Sequence, residues 1–137
     1  MVSQTLSDPV RQLLDRPNHA VLATINPDGS PQTSLVWVAR EGDEVVISSA
    51  AGRRKDRNIR RDPRVSLSAW DSADPGIYAE IRGTATVTED PGRALAIALG
   101  EKYDGPGGGD SFRQLPAEIV RIVIRIAAAH VAGYAAS

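Results

Sequence analysis

Short stretches of strand-like sequence recur along the chain, and each one ends at a cluster of turn-forming residues. The turn at residues 26–31 (Asn-Pro-Asp-Gly-Ser-Pro) and the turn at residues 41–43 (Glu-Gly-Asp) are too short to contain a crossover helix. Neighbouring strands are therefore expected to be antiparallel. The predicted strands cover residues 19–25, 32–40, 44–50, 64–70, 77–88 and 118–129.

Three short helices are predicted between or before these strands. They cover residues 7–15, 53–61 and 90–103, with Asp90 as a cap and Pro91 in the first turn of the last one. Gly83 is expected to mark a bulge in the long fifth strand. With 137 residues and no internal repeat, the chain is predicted to be one domain, residues 1–137, that forms a closed or half-closed antiparallel barrel. A Rossmann unit is disfavoured, because no glycine fingerprint follows the first strand.

Positive charge is concentrated in one tract directly after the third predicted strand. Six of the nine residues from Arg53 to Arg61 are basic, although the formal net charge of the whole chain is −1. Gly52 precedes the tract, which begins a helix, and helix N-termini present free backbone N–H groups and a positive dipole end. Arginine adds forked donors and lysine a mobile charge. The tract is predicted to bind a phosphorylated ligand; the competing interpretation is a solvated, ion-paired helix face.

Composition excludes several classes of function. The chain has no cysteine, which rules out disulfides, thiolate catalysis and cysteine metal sites, and its two histidines are far apart, so no metal site is predicted. No signal peptide and no apolar run of about 20 residues is present, so a cytoplasmic protein without a membrane segment is expected. At this length an enclosed cofactor cavity would need a second subunit to cover it.

The order of motifs resembles a known family. Six motifs, in this order, are similar to those of flavin-binding split β-barrel proteins related to pyridoxamine 5′-phosphate oxidase. They are Ala-Thr-Ile at 23–25, Asp-Gly-Ser-Pro-Gln at 28–32, Trp37, Ser48-Ser49, the run 53–65 and Tyr-Ala-Glu-Ile-Arg-Gly-Thr-Ala at 78–85. Within that family the chain looks most like the short actinobacterial branch that uses the deazaflavin coenzyme F420 in place of FMN. The resemblance implies a mainly β, six-stranded antiparallel split β-barrel that is a homodimer, with the cofactor at the subunit interface.

The same resemblance implies a set of cofactor-binding residues. The end of the third strand and the basic helix would hold the cofactor phosphate, residues after the first turn would approach the ring, and the start of the fifth strand would come from the partner subunit. The implied residues are Gln32, Thr33, Ser34, Ser48, Ser49, Arg53, Arg54, Lys55, Arg57, Asn58, Ile77 and Tyr78. By helical geometry Arg54 points away from the side shared by Arg53 and Arg57.

The implied reaction is hydride transfer from reduced F420 to an electron-poor C=C or C=N bond of a small molecule. No side chain is expected to be essential for the chemistry, and Tyr78 is a candidate proton donor. The alternatives are an FMN-dependent oxidoreductase and a cofactor carrier or sensor without turnover. Nucleic-acid binding is disfavoured by the near-neutral charge and an aromatic content of 4%. The resemblance also disfavours pyridoxamine-phosphate oxidation, because such oxidases use a C-terminal arginine-containing segment to bind the substrate phosphate, and the residues after Ala132 contain no arginine.

Two further expectations concern packing and mobility. Trp37 and Trp70 are expected to pack in the barrel or at a subunit interface. The glycine-rich segment 105–109 is expected to be a mobile loop that gates substrate entry.

Overall fold

The computed structural model describes residues 4–136, which form one curled antiparallel sheet with short helices. The helices are α1 (Asp8–Asp15), α2 (Arg54–Arg61), α3 (Ala94–Asp104) and α4 (Asp110–Arg113), with 3-10 turns at Pro91–Arg93 and Tyr134–Ala136. The strands are β1 (Ala20–Ile25), β2 (Pro31–Val36), β3 (Val38–Glu41), β4 (Glu44–Ala50), β5 (Arg64–Trp70), β6 (Tyr78–Glu89) and β7 (Arg121–Ala132). None of the described helices has the length and apolar character to cross a bilayer.

The seven strands lie in the order β2-β1-β5-β6-β7-β4-β3, and every neighbouring pair is antiparallel. The predicted second strand is divided at Trp37, so that its first part pairs with β1 and its second part with β4. Because β2 and β3 are the two edges of the sheet and only one residue separates them, the sheet must curl until its edges meet. The predicted mainly β split barrel is confirmed. The sheet has seven strands where six were predicted, because the predicted strand 32–40 is divided into β2 and β3, one at each edge of the sheet.

The corner between β2 and β3 is held by two side chains of α3. The N–H of Val38 donates to the hydroxyl of Tyr103 (3.0 Å), and the ammonium of Lys102 donates to the carbonyl of Val38 (2.6 Å). Lys102 also donates to the carbonyl of Leu14 (2.5 Å) at the end of α1. A chain that leaves one sheet edge for the other loses ladder partners, and unpaired buried backbone groups are costly. Lys102 and Tyr103 supply those partners.

The core follows the alternation expected of strands with one buried face. Leu22 in β1, Leu67 in β5 and Ile124 in β7 have no exposed surface, and α1 adds Leu14 over the end of the barrel. Each fully buried side chain of this size contributes about 1.5–3 kcal/mol. The predicted bulge is confirmed: the β6–β7 register shifts between Arg82 and Gly83, and a Cβ at Gly83 would clash with the carbonyl of Ala127.

The helix predicted over residues 90–103 begins with a 3-10 turn before α3. Both carboxylate oxygens of Asp90 accept hydrogen bonds from the first turn of α3, from the N–H groups of Leu95 and Ala96 at 3.0 Å each. Asp90 therefore caps the helix as predicted, from one turn further back. The glycine-rich segment packs against α3: a Cβ on Gly109 would meet Ile97 at 2.7 Å, so this close approach requires glycine.

Lys102 generates a prediction about pH. Burial lowers the pKa of Lys102 to about 8, and the nearby carboxylate of Asp15 offsets only part of that shift. The unfolded chain, with a lysine pKa near 10.5, then binds more protons than the folded protein between pH 8 and pH 10.5. The free energy of unfolding should therefore rise with pH across this window, and in Lys102→Met this contribution should be missing. Urea unfolding of both proteins at several pH values measures the difference, and a pH-independent difference would contradict the assignment.

Candidate anion-binding site

Helix α2, which carries most of the basic tract, is tied to the turn before it by a buried carboxylate. Asp56 is 3% exposed and accepts hydrogen bonds from the N–H of Gly52 and from Nε of Arg60, both at 2.7 Å. Gly52 has a φ of +86°, which favours glycine at the turn before the helix. Arg61 donates to the carbonyl of Ile25. Two of the six basic side chains are thus engaged within the fold.

Two of the residues expected to contact a cofactor are buried instead. Asn58 has no exposed surface, and its amide nitrogen donates to Thr24 Oγ1 and Asn26 Oδ1, both at 3.0 Å. Ser49 is 4% exposed and its hydroxyl donates to the adjacent carbonyl of Ala50 (3.4 Å). In the single chain both side chains contribute to the packing of the barrel, and their predicted contact with a cofactor stays a prediction. Ile59 on the same helix is 3% exposed and belongs to the hydrophobic core.

Two cations lie beside Ser48, and a third borders the adjoining groove. Arg121, at the start of β7, donates from Nη2 to Ser48 Oγ at 2.8 Å, and its guanidinium carbon lies 5.0 Å from the ring centre of Phe112. Lys55 is half-buried beside the same cavity, and Arg53 borders the groove next to it. The Nε of Arg121 is buried and has no hydrogen-bond partner among the described residues. A buried donor without an acceptor is costly unless a ligand supplies one.

The pKa shifts in this cluster have a shared cause. Burial lowers the pKa of Lys55, and the positive charges of Arg53 and Arg121 lower it further. Burial likewise lowers the pKa of Arg121; the charges of Arg53 and Arg93 lower it further, and the carboxylate of Asp90 opposes part of the shift. None of the ion pairs found among residues 4–136 includes any of the three. The folded protein therefore holds three cations together without a direct ion pair to any of them, which favours binding of an anion.

The cavity beside these cations is amphipathic. It has a volume of about 170 Å³, with Ser48, Lys55 and Arg121 as its polar wall. Its apolar wall comes from the β2–β3 corner, α3 and α4, through Leu35, Val36, Trp37, Ala96, Leu99 and Phe112. A second groove of about 560 Å³ continues past Arg121 along residues 50–53. A ligand with a charged group and a flat apolar group matches this arrangement.

The remaining predicted residues lie outside this cavity. Arg54 borders a different hollow with residues 26–28, and Arg57 is exposed on α2 without an ion pair to a described residue. Ile77 and Tyr78 are 42% and 41% exposed at the start of β6, where Tyr78 contacts Tyr134 edge to face at 6.4 Å. One chain alone therefore does not bring Tyr78 to Lys55.

The three residues at the start of β2 border the site without lining it. Gln32 accepts a hydrogen bond from Thr24 Oγ1 (2.6 Å), and Thr33 is exposed. The hydroxyl oxygen of Ser34 is buried and has no partner among the described residues. Ser34 therefore offers a second unused polar atom, in addition to Nε of Arg121.

Sequence reasoning missed Arg121 and Phe112 as site residues. Arg121 falls within the predicted strand 118–129, and Phe112 lies in the four-residue helix α4, which the sequence did not predict. An arginine at the entrance of a strongly apolar strand was the available signal. Trp37 packs as expected, stacked on Tyr103 with ring centres 4.9 Å apart and planes 5° from parallel. Trp70 contacts His19 edge to face at 6.2 Å.

Comparison with known proteins identifies related sequences and structures. A family model described as pyridoxamine 5′-phosphate oxidase matches residues 6–134. A solved structure described as an F420 reductase is 33% identical, with a TM-score of 0.76 over 89% of this chain and 94% of that one. A conserved hypothetical protein from Mycobacterium tuberculosis is 26% identical, with a TM-score of 0.73 over 94% and 84% of the two chains. General stress protein 26 from Bacillus anthracis shares the fold at 18% identity and a TM-score of 0.67, over 90% and 89%.

The cations Arg53, Lys55 and Arg121 generate a stability prediction. Lys55→Met removes one of three mutually repelling charges while keeping the length of the side chain, so it should stabilise the anion-free protein by about 0.5–2 kcal/mol, the usual range for relieving unfavourable charge. Arg54→Met, on the same helix but away from the cluster, should change stability by no more than about 0.5 kcal/mol. Urea unfolding in a buffer without phosphate or sulfate provides the measurement. A destabilised Lys55→Met protein would show that the three charges do not repel one another appreciably.

Proposed function

The chain belongs to the pyridoxamine 5′-phosphate oxidase family, and from that premise we propose that it is a coenzyme F420-dependent oxidoreductase. The observation that carries the proposal is the group of three cations without a direct ion pair, Arg53, Lys55 and Arg121, beside an apolar wall. The similarity to an F420 reductase at 33% identity, over nearly the whole of both chains, supports the choice of cofactor. The substrate class is a small molecule with an electron-poor C=C or C=N bond.

The residues present fit a phosphorylated, flat cofactor. Phosphate oxygens would accept hydrogen bonds from Arg121 Nε, which otherwise has no partner among the described residues, and from Lys55 and Arg53. Ser48 holds the guanidinium of Arg121 toward the cavity. The wall that includes Trp37 and Leu99 suits an aromatic ring system. FMN also carries a phosphate and a flat ring, so it is the alternative cofactor.

When bound, the reduced deazaflavin supplies the hydride, and the chain contributes position and surroundings. Arg53, Lys55 and Arg121 fix the anionic end, so that the ring is held in one orientation. The apolar wall excludes water from the ring and lowers the local dielectric constant. The product takes its proton from solvent or from the hydroxyl of Tyr78, which is exposed in the single chain.

We place the complete site in a homodimer. Leu35 at the cavity is 65% exposed, and Ile77, Tyr78 and Tyr134 form an exposed apolar group elsewhere on the chain. A second copy that covers Leu35 with its own Ile77 and Tyr78 would bury both surfaces and enclose the ring. This arrangement is consistent with the cavity being open at Leu35.

Two other functions are less well supported. A nucleic-acid-binding surface would use exposed cations, but Arg60 and Arg61 are bonded internally and Lys55 and Arg121 are half-buried. Within the tract, Arg53, Arg54 and Arg57 are the exposed cations without such bonds. A cofactor carrier without turnover would use the same binding residues. Turnover separates a carrier from an enzyme, because only an enzyme would oxidise reduced F420 when an activated enone is added.

The choice of cofactor is tested by titrating the purified protein with F420 and with FMN under the same conditions. F420 should bind more tightly by tenfold or more, which corresponds to about 1.4 kcal/mol. Ligand fluorescence gives both dissociation constants, and the reduced complex is then mixed with an activated cyclic enone to measure oxidation. Tighter binding of FMN would overturn the cofactor assignment, and binding of F420 without any enone-dependent oxidation would favour the carrier.

The phosphate-holding residues are tested with matched alanine variants. Lys55→Ala and Arg121→Ala should each weaken F420 binding by about 1–3 kcal/mol, the range for losing a charge-assisted hydrogen bond. Arg54→Ala removes the same charge from the same helix on a side that does not face the cavity, and should change affinity by less than about threefold. The dissociation constants come from the fluorescence titration. Equal weakening in all three variants would indicate a general charge effect and would reject the assigned pocket.

A further inference from the structure

Arg93 has a strained backbone and an unusual set of hydrogen bonds. Among the described residues it is the one non-glycine residue with a positive φ, 57°, and it follows Gly92, whose φ is 66°. A left-handed conformation is unfavourable for an L-residue, and asparagine or glycine would adopt it more easily. The position therefore retains an arginine for its side chain.

The guanidinium of Arg93 bonds to four backbone carbonyls of one segment. Nη1 donates to the carbonyls of Phe112 (3.0 Å) and Leu115 (2.7 Å), and Nη2 donates to those of Pro116 (2.7 Å) and Ile119 (3.3 Å). This segment, residues 112–119, joins α4 to β7 and contributes no strand to the sheet. Arginine can satisfy several carbonyls at once because its donors lie in a rigid planar fork.

The segment held by Arg93 contributes Phe112 to the anion pocket. Phe112 contacts the guanidinium of Arg121 at 5.0 Å and borders both the cavity and the adjoining groove. On the other side, the carbonyl of Arg121 accepts a hydrogen bond from the N–H of Asp90 (2.9 Å), three residues before Arg93. Arg121 therefore lies between two supports that both lead to the turn containing Arg93.

We infer that Arg93 is a positioning residue for the anion pocket: it fixes the carbonyls of residues 112–119, so that Phe112 holds the guanidinium of Arg121 toward Ser48. The hydrogen bonds of the Arg93 guanidinium go to these backbone carbonyls, and Arg93 does not contact the ligand. The inference rests on the proposed function, because its main effect is on binding of the phosphorylated cofactor.

A purely structural role for Arg93 makes different predictions. If Arg93 only stabilised the fold, its loss would weaken binding equally whether or not Arg121 is present. If it acts through Arg121, its loss has no further effect once the guanidinium of Arg121 is gone. A double-mutant cycle separates the two cases.

The cycle uses F420 binding by the full chain as its readout. Arg93→Ala should weaken binding by about tenfold, or about 1.4 kcal/mol, whereas the same change in an Arg121→Ala background should alter the dissociation constant by less than twofold. Arg113→Ala is the control, since Arg113 lies in the neighbouring helix α4 and pairs with Asp110 at the surface. Unchanged affinity in Arg93→Ala, or equal losses in both backgrounds, would overturn the inference.

Two further measurements keep the test decisive if Arg93→Ala folds poorly or if F420 does not bind. Phe112→Leu leaves Arg93 intact and removes the ring beside Arg121, so it should reproduce the weakened binding. Independently of any cofactor, the Nε–H proton of Arg121 should exchange slowly with solvent in the wild-type protein, because that atom is buried. Arg93→Lys, which keeps the charge but loses the fork, should accelerate this exchange severalfold in ¹⁵N-resolved spectra. Unaltered exchange would refute positioning by Arg93, while failure of the wild-type protein to bind F420 would count against the proposed function alone.

Discussion

The barrel depends on how the chain turns the corner at Trp37. The chain leaves the edge strand β2 after Val36 and begins the opposite edge strand β3 at Val38. The backbone N–H and carbonyl of Val38 are hydrogen-bonded to Tyr103 and Lys102 of α3. This contact links a helix late in the sequence to a corner early in it, so barrel closure and the docking of α3 depend on the same hydrogen bonds. It also places Trp37 and Leu99 on the same cavity wall. The apolar side of the proposed site is therefore a by-product of closing the barrel.

The polar side of the site depends on which carboxylates are present and which are absent. Asp56 engages Arg60 and the turn at Gly52, and so anchors α2 without neutralising the cations that face the cavity. Arg53, Lys55 and Arg121 form no ion pair among the described residues, and the partial burial of Lys55 and Arg121 makes the repulsion more costly. Binding sites are often regions where stability is sacrificed for function. Here the sacrifice is a cluster of like charges that an anionic cofactor would relieve.

Much of the fold could be predicted because its signals are local. Alternating strands, the bulge at Gly83 and the cap at Asp90 each depend on a few neighbouring residues. The break at Trp37 could not be predicted, because residues 32–40 alternate without interruption and the division is imposed by strand pairing on opposite sides. The basic tract located the site, but Arg121 reaches it only through the β4–β7 register, in which Arg121 lies opposite Ala50. The burial of Asn58 and Ser49 likewise depends on tertiary packing that the local sequence does not encode.

The scarcity of lysine has a chemical consequence. The chain has two lysines, Lys55 and Lys102, and burial lowers the pKa of both, so each has a larger neutral, nucleophilic fraction near physiological pH than an ordinary surface lysine. Acylation of Lys55 would remove a positive charge from the proposed phosphate-binding pocket. Acylation of Lys102 would remove hydrogen-bond donors from the carbonyls of Leu14 and Val38 at the β2–β3 corner. A reactive acyl donor in the cell would thus find no harmless side-chain amine on this protein.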